Sequence, residues 1–169
     1  MKIAMIGLGF MGSTHLKALS KIPSAELVAV SSVDERQLSG DLSGVQGNIG
    51  GAGEKLDFSR LRKYRDAMEA ARDPEAEAVD ICLPTGLHAD VAIEALRHGK
   101  HVLVEKPMAI DGAAADAMVA EAARQGRILM TAQVLRFWPD YVVLGSLLKD
   151  GNLGRVHSAI FRRRCAAPA

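Results

Sequence analysis

Apolar residues fall in two alternating textures along the chain. Short unbroken apolar runs predict strands covered on both faces, and stretches with apolar positions three and four apart predict helices. Residues 2–6 (Lys-Ile-Ala-Met-Ile), 26–31 (Glu-Leu-Val-Ala-Val-Ser), 79–83 (Val-Asp-Ile-Cys-Leu) and 101–104 (His-Val-Leu-Val) belong to the first kind, with a further strand over 128–134. Helical spacing runs from Phe10 to Ser20, from Asp90 to His98 with Gly99 as its stop, and from Asp111 to Gln125, ended by Gly126. Strands alternating with helices of this length predict an α/β fold, a doubly wound parallel sheet. The rhythm breaks at 40–53, where six glycines predict an irregular, mobile insertion. It changes again after Pro139, with a helix over 140–149 and a strand over 156–164 that no helix follows. One domain is therefore expected over 1–133, and the truncated beginning of an α+β second domain over 134–169.

Composition excludes more than it selects. The chain is 49% hydrophobic and 24% charged, which fits a globular protein with a core rather than a disordered one. A net charge of +1 gives no reason to expect nucleic acid or an acidic membrane surface as partner. The run Arg162-Arg163-Arg164 reads as a solvated strand end. No stretch approaches a membrane span, and no leader is recognisable at the start. Cys82 and Cys165 lie far apart, outside any CxxC spacing, so a reducing cytoplasmic setting is expected and no metal site is proposed.

The first chemistry-bearing element is Gly7-Leu8-Gly9-Phe10-Met11-Gly12, a G-x-G-x-x-G between a strand and a helix. In that context the first glycine permits the turn, the second lets a pyrophosphate approach, and the third lets helix and strand pack closely. Free N–H groups at the helix start then face the phosphates, so Gly7, Gly9, Phe10, Met11 and Gly12 are candidate cofactor contacts in a Rossmann-type domain. About 20 residues further on, Ser32 stands where a ribose-binding side chain is expected. Asp34 would repel a 2′-phosphate and Arg36 would attract one, so NAD and NADP both stay open.

Residues 82–107 carry Pro84-Thr85 and His88 after one strand and Glu105-Lys106-Pro107 after the next. With Arg136-Phe137-Trp138-Pro139 and Asn152-Leu153-Gly154-Arg155-Val156, these motifs resemble the Gfo/Idh/MocA family of NAD(P)-dependent oxidoreductases over nearly the whole chain. The resemblance implies NAD or NADP as cofactor and a substrate of the sugar or polyol class. It implies Lys106 as the catalytic residue beside nicotinamide and substrate, and a cis bond before Pro107. Further cofactor contacts are implied at Pro84, Thr85, His88, Glu105 and Arg136, and a homo-oligomer is expected. Against these stand plainer readings: Lys106 as a surface lysine neutralised by Glu105, His88 as a ring bonding local backbone, and Arg136 as junction packing. His15, His98, His101 and His157 are read as structural or solvated. Family members are roughly twice as long, and their second domain carries a Gly-Gly…Asp…His segment absent here. The chain is thus expected to be a fragment or a truncated product, with little activity alone. A non-catalytic dinucleotide-binding or redox-sensing module is the alternative, although such a module has no chemical need for Lys106.

Overall fold

A computed structural model describes residues 1–45, 53–162 and 164. Six strands form one parallel sheet: β1 (Lys2–Ile6), β2 (Glu26–Ser31), β3 (Arg62–Tyr64), β4 (Ala78–Ile81), β5 (His101–Val104) and β6 (Leu129–Thr131), in the order β3-β2-β1-β4-β5-β6. The order reverses between β1 and β4, so the loops leaving their carboxyl ends diverge and open a crevice, the usual ligand position in open α/β sheets.

Alternation along the strands feeds two cores. Ala4, Ile6, Val79, Ile81, Val102 and Val104 point to one face. That face is covered by α3 (Ala67–Ala71), α4 (His88–Arg97) and α5 (Gly112–Gln125), which contribute Ala71, Val91, Leu96 and Met118. Met5 and Val30 point to the other, under α1 (Phe10–Leu19) and α2 (Glu35–Leu38), with Leu16 and Leu38. Asp111 caps α5 by accepting the Ala114 N–H at 2.8 Å, and Gly126 ends that helix in the left-handed region.

A buried clip holds the β3 edge. Asp73 accepts from Arg62 Nε at 2.6 Å and Nη2 at 2.8 Å, from the Tyr64 hydroxyl at 2.9 Å, and from the backbone N–H groups of Glu75 and Ala76. Burial pushes its pKa up, but these donors outweigh burial and hold it at about 2.

Two sequence expectations are corrected, and a third falls partly outside the described residues. The strand expected over 128–134 is only Leu129–Thr131, because Val134–Phe137 turn into a 3₁₀ segment. The strand expected over 156–164 is absent among the described residues of that stretch, which are exposed and have no neighbouring strand to complete a ladder. The glycine-rich stretch 40–53 lies partly outside the described residues, at 46–52. Its described ends are packed rather than loose: Asp41 and Lys55 form an antiparallel bridge, and Leu42 is buried beside Phe58.

The chain divides into two compact units, Met1–Ala132 and Gln133–Ala169. The second holds the Val134–Phe137 turn and α6 (Pro139–Lys149), with Trp138 and Tyr141 in ring contact at 6.3 Å. No described helix is long and apolar enough to cross a membrane.

Candidate functional site

Gly7 has φ +96°, a conformation that L side chains rarely adopt, and its missing Cβ would stand 2.4 Å from the Cys82 carbonyl oxygen. At Gly12 a Cβ would lie 1.9 Å from the Gly7 carbonyl oxygen, so only glycine lets α1 start this close to the turn. Gly9 differs: a Cβ there would meet nothing within 4 Å, leaving open space above the turn. The Ser13 N–H is the first on α1 to bond back, to the Gly9 carbonyl at 2.9 Å. The N–H groups of Phe10, Met11 and Gly12 therefore have no intrahelical acceptor, and no acidic side chain occupies the first turn. This is a cradle that a pyrophosphate fits.

Ser31, at the end of β2, with Ser32 and Val33 just past it, faces Leu83 and Leu87, past β4, across a cavity of about 750 Å³. Ser32 Oγ donates to Gln37 Oε1 at 2.6 Å and accepts the Asp34 N–H at 3.1 Å, so the loop after β2 is held from within. A smaller hollow of about 340 Å³ joins Gly9 and Phe10 to Asp34, Arg36 and Asp41. Asp34 caps α2 by accepting the Arg36 N–H at 2.8 Å. Arg36 Nη2 stands 3.4 Å from Asp41, whose pKa is lowered to about 2, chiefly by hydrogen bonds from Ser43.

The second rim loop follows β5. The Glu105 N–H donates to the Ile81 carbonyl at 2.9 Å, prolonging the β4–β5 ladder past its strands. The Glu105 carboxylate turns inward and is buried; Oε2 accepts the Lys106 backbone N–H at 2.9 Å and Oε1 lies 3.2 Å from His15 Nε2. It does not neutralise the Lys106 side chain, which is exposed and has no ion-pair partner among the described residues. The Lys106–Pro107 bond is cis. Pro84 and Thr85 form the start of the other rim loop, where the Leu87 N–H bonds the Pro84 carbonyl at 2.9 Å.

His88 ties the two loops together. Its ring is buried, with Nδ1 at 2.9 Å from the Pro107 carbonyl and Nε2 at 2.7 Å from the Leu83 carbonyl. Both nitrogens are thus directed at backbone, and the ring braces the site rather than facing a ligand. A neutral ring can donate to only one of these carbonyls, an imidazolium to both. Arg136 stands exposed in the second unit, on the 3₁₀ segment Val134–Phe137.

His15, which the sequence left as structural or solvated, stands between two buried carboxylates. Its Nδ1 contacts Asp80 Oδ2 at 2.9 Å and Oδ1 at 3.1 Å, while its Nε2 faces Glu105. The hydrogen bond to Asp80 raises its pKa against the opposing effect of burial, and Glu105 raises it further. Cys82 Sγ lies 3.5 Å from His15 Nδ1, but that nitrogen is already engaged by Asp80, and burial pushes the thiol pKa well up, away from thiolate. The sequence did hold a signal: Asp80 is a charge inside an apolar strand run, and a buried charge requires a partner.

The family model described as an oxidoreductase family with an NAD-binding Rossmann fold matches residues 1–133. Myo-inositol 2-dehydrogenase from Thermotoga maritima is 32% identical over 99% of this chain and 46% of its own length. D-apiose dehydrogenase from Paraburkholderia graminis is 33% identical over 90% of this chain and 37% of its own. The chain thus spans about half the length, or less, of these curated relatives. A crystal structure of scyllo-inositol dehydrogenase from Lactobacillus casei with NAD(H) and scyllo-inositol superposes with a TM-score of 0.74 at 27% identity, covering 90% of this chain and 42% of that one. With the family model matched over residues 1–133, the chain belongs to the Gfo/Idh/MocA family of NAD-binding Rossmann-fold oxidoreductases.

Proposed function

We propose that residues 1–133 are the cofactor-holding domain of an NAD(P)-dependent dehydrogenase that moves a hydride between nicotinamide and a hydroxyl-bearing carbon of a sugar, polyol or related molecule. Residues 134–169 are the beginning of its substrate and oligomerisation domain. The observation that carries this reading is the inward turn of Glu105, which leaves the Lys106 ammonium unneutralised at the sheet rim that also holds the Gly7–Gly12 turn. A lysine that only decorated a surface would gain from a neighbouring carboxylate; one that meets a substrate hydroxyl must keep its donors free.

Each group then has a task. The backbone N–H groups of Phe10, Met11 and Gly12 hold the pyrophosphate, with Gly7 and Gly12 keeping that turn tight. Ser32 contacts the adenosine ribose, and Pro84 and Thr85 line the path toward the nicotinamide. His88 and Glu105 support the loops from beneath. Bound nicotinamide supplies the hydride donor or acceptor. Lys106 binds and polarises the substrate hydroxyl and relays its proton. Asp34 and Asp41, on the hollow beside Gly9, would repel a 2′-phosphate, and Arg36 is turned toward Asp41, so NAD is preferred over NADP. Relatives that act on inositol support the polyol class. We place the enzyme in the cytoplasm as a homo-oligomer, a setting compatible with the free thiol of Cys82.

Calorimetric titration of the 169-residue chain with NADH and NADPH tests the proposal. Binding of NADH, with weaker binding of NADPH, is expected. Absence of heat with either, on protein shown to be folded, overturns it.

A further inference from the structure

We propose that His15 is a positioning residue for Lys106, acting through Glu105. The proposal rests on the reading of Lys106 given above and extends it to a residue one helical turn behind the glycine motif. Three elements meet at this ring: α1 carries His15, β4 carries Asp80 with Cys82 just beyond its end, and Glu105 follows β5. The side chains of Asp80 and Glu105 are 5% and 8% exposed, so neither carboxylate is solvated and each requires a donor. Both ring nitrogens face carboxylate oxygens, at 2.9 Å and 3.2 Å. Only the imidazolium carries a proton on each nitrogen, so only the charged ring satisfies both partners.

Glu105 is the transmitting element. One oxygen is held by His15, and the other accepts the Lys106 N–H at 2.9 Å. With its own N–H tied to the Ile81 carbonyl, Glu105 has backbone and carboxylate both fixed, and the peptide that launches Lys106 is fixed with them. When the ring loses its proton, one nitrogen becomes an acceptor facing a carboxylate. That contact turns repulsive, and Glu105 is free to swing toward solvent or toward the Lys106 ammonium. His15 has its pKa raised in the fold, so its contribution is fully present below the ordinary histidine value and is lost as pH rises through the raised one. The titratable groups facing the ring are Asp80, Cys82 and Glu105; on its own helix, Lys17 is paired with Glu54.

The experiment is a pH titration of the unliganded 169-residue chain by NMR, following the His15 ring carbons and the Lys106 backbone amide together. The Lys106 amide is expected to shift with the same midpoint as His15, above pH ~6.5. In His15→Gln, whose amide donates but carries no charge, that titration should disappear. Solvent exchange at Lys106 should rise about tenfold while amides of Val30 and Val79 keep their rates. A merely structural His15 would change all three amides together or none. A Lys106 amide that stays still while His15 titrates overturns the proposal, and the wild-type titration decides this even if the variant fails to fold. Because no cofactor is present, failure of NADH to bind would sink the dehydrogenase reading without touching this coupling.

Discussion

Replacing Gly9 by valine separates binding from folding at the glycine turn. Gly9 has φ −68° and ψ −165°, an extended conformation open to any residue, and a Cβ there meets nothing within 4 Å. Gly9→Val should therefore cost only about 1 kcal/mol, the penalty of an apolar N-cap, or a fall of about 4 °C in Tm. The new side chain fills the space through which a pyrophosphate reaches the N–H groups of Phe10, Met11 and Gly12. A hydrogen bond to a charged group contributes about 1.5–3 kcal/mol. Losing two of them removes about 3–6 kcal/mol, on the order of 10²- to 10⁴-fold in Kd. Gly12→Ala is the counterpart: its Cβ would sit 1.9 Å from the Gly7 carbonyl oxygen, so α1 must move off the turn at about 3 kcal/mol. Thermal melts and calorimetric titration with NADH, on both variants, read the two effects. A Gly9→Val protein that binds NADH within about threefold of wild type would show that the open space above the turn is not the phosphate's.

Asp73→Asn should lose about 3 kcal/mol by breaking the buried Arg62 pair, read by chemical denaturation. Asp73 is held at about 2, below its ordinary 3.8, so it stabilises above pH ~4 by about 2.5 kcal/mol, and that share disappears as pH falls toward 2; acid unfolding of wild type and variant should converge there. Asp34→Ser keeps a helix cap while removing a negative charge, and should move the NADPH-to-NADH affinity ratio about tenfold toward NADPH in calorimetry. In a version of the chain that carries a second domain and turns over substrate, Lys106→Ala should lower kcat by about 10²-fold or more while cofactor Kd changes little; equal losses in both would mean that Lys106 only holds the cofactor.

Long periodic elements were legible in the chain, because an apolar strand run or a spaced helix face reports burial directly. Lys2–Ile6, Glu26–Ser31 and His101–Val104 appear where the pattern places them. Arg62–Tyr64 did not, since a three-residue polar edge strand has no apolar run to announce it and is held by Asp73 from eleven residues away. The strand expected over 156–164 illustrates the converse: its composition favours extension, but a strand needs neighbours. At the site, Gly7, Gly9, Gly12 and Lys106 could be named because motif and strand end coincide. His15 could not, because its significance depends on Asp80 and Glu105, which only the parallel β4–β5 pairing brings to one side of α1. Likewise, sequence left His88 open between ligand contact and backbone support, and its two carbonyl partners come from different loops.

On the proposed function, one bound dinucleotide spans the glycine turn and the Glu105–Pro107 loop. Amide chemical shifts of the 169-residue chain during NADH titration test it most directly. Shifts at Gly7 to Gly12 together with Lys106, all following a single binding curve, are predicted, with adenosine diphosphate ribose reproducing the first set and leaving Lys106 nearly still. Shifts at the glycine turn with Lys106 unmoved by NADH would mean that the nicotinamide lies elsewhere and that Lys106 does not meet it.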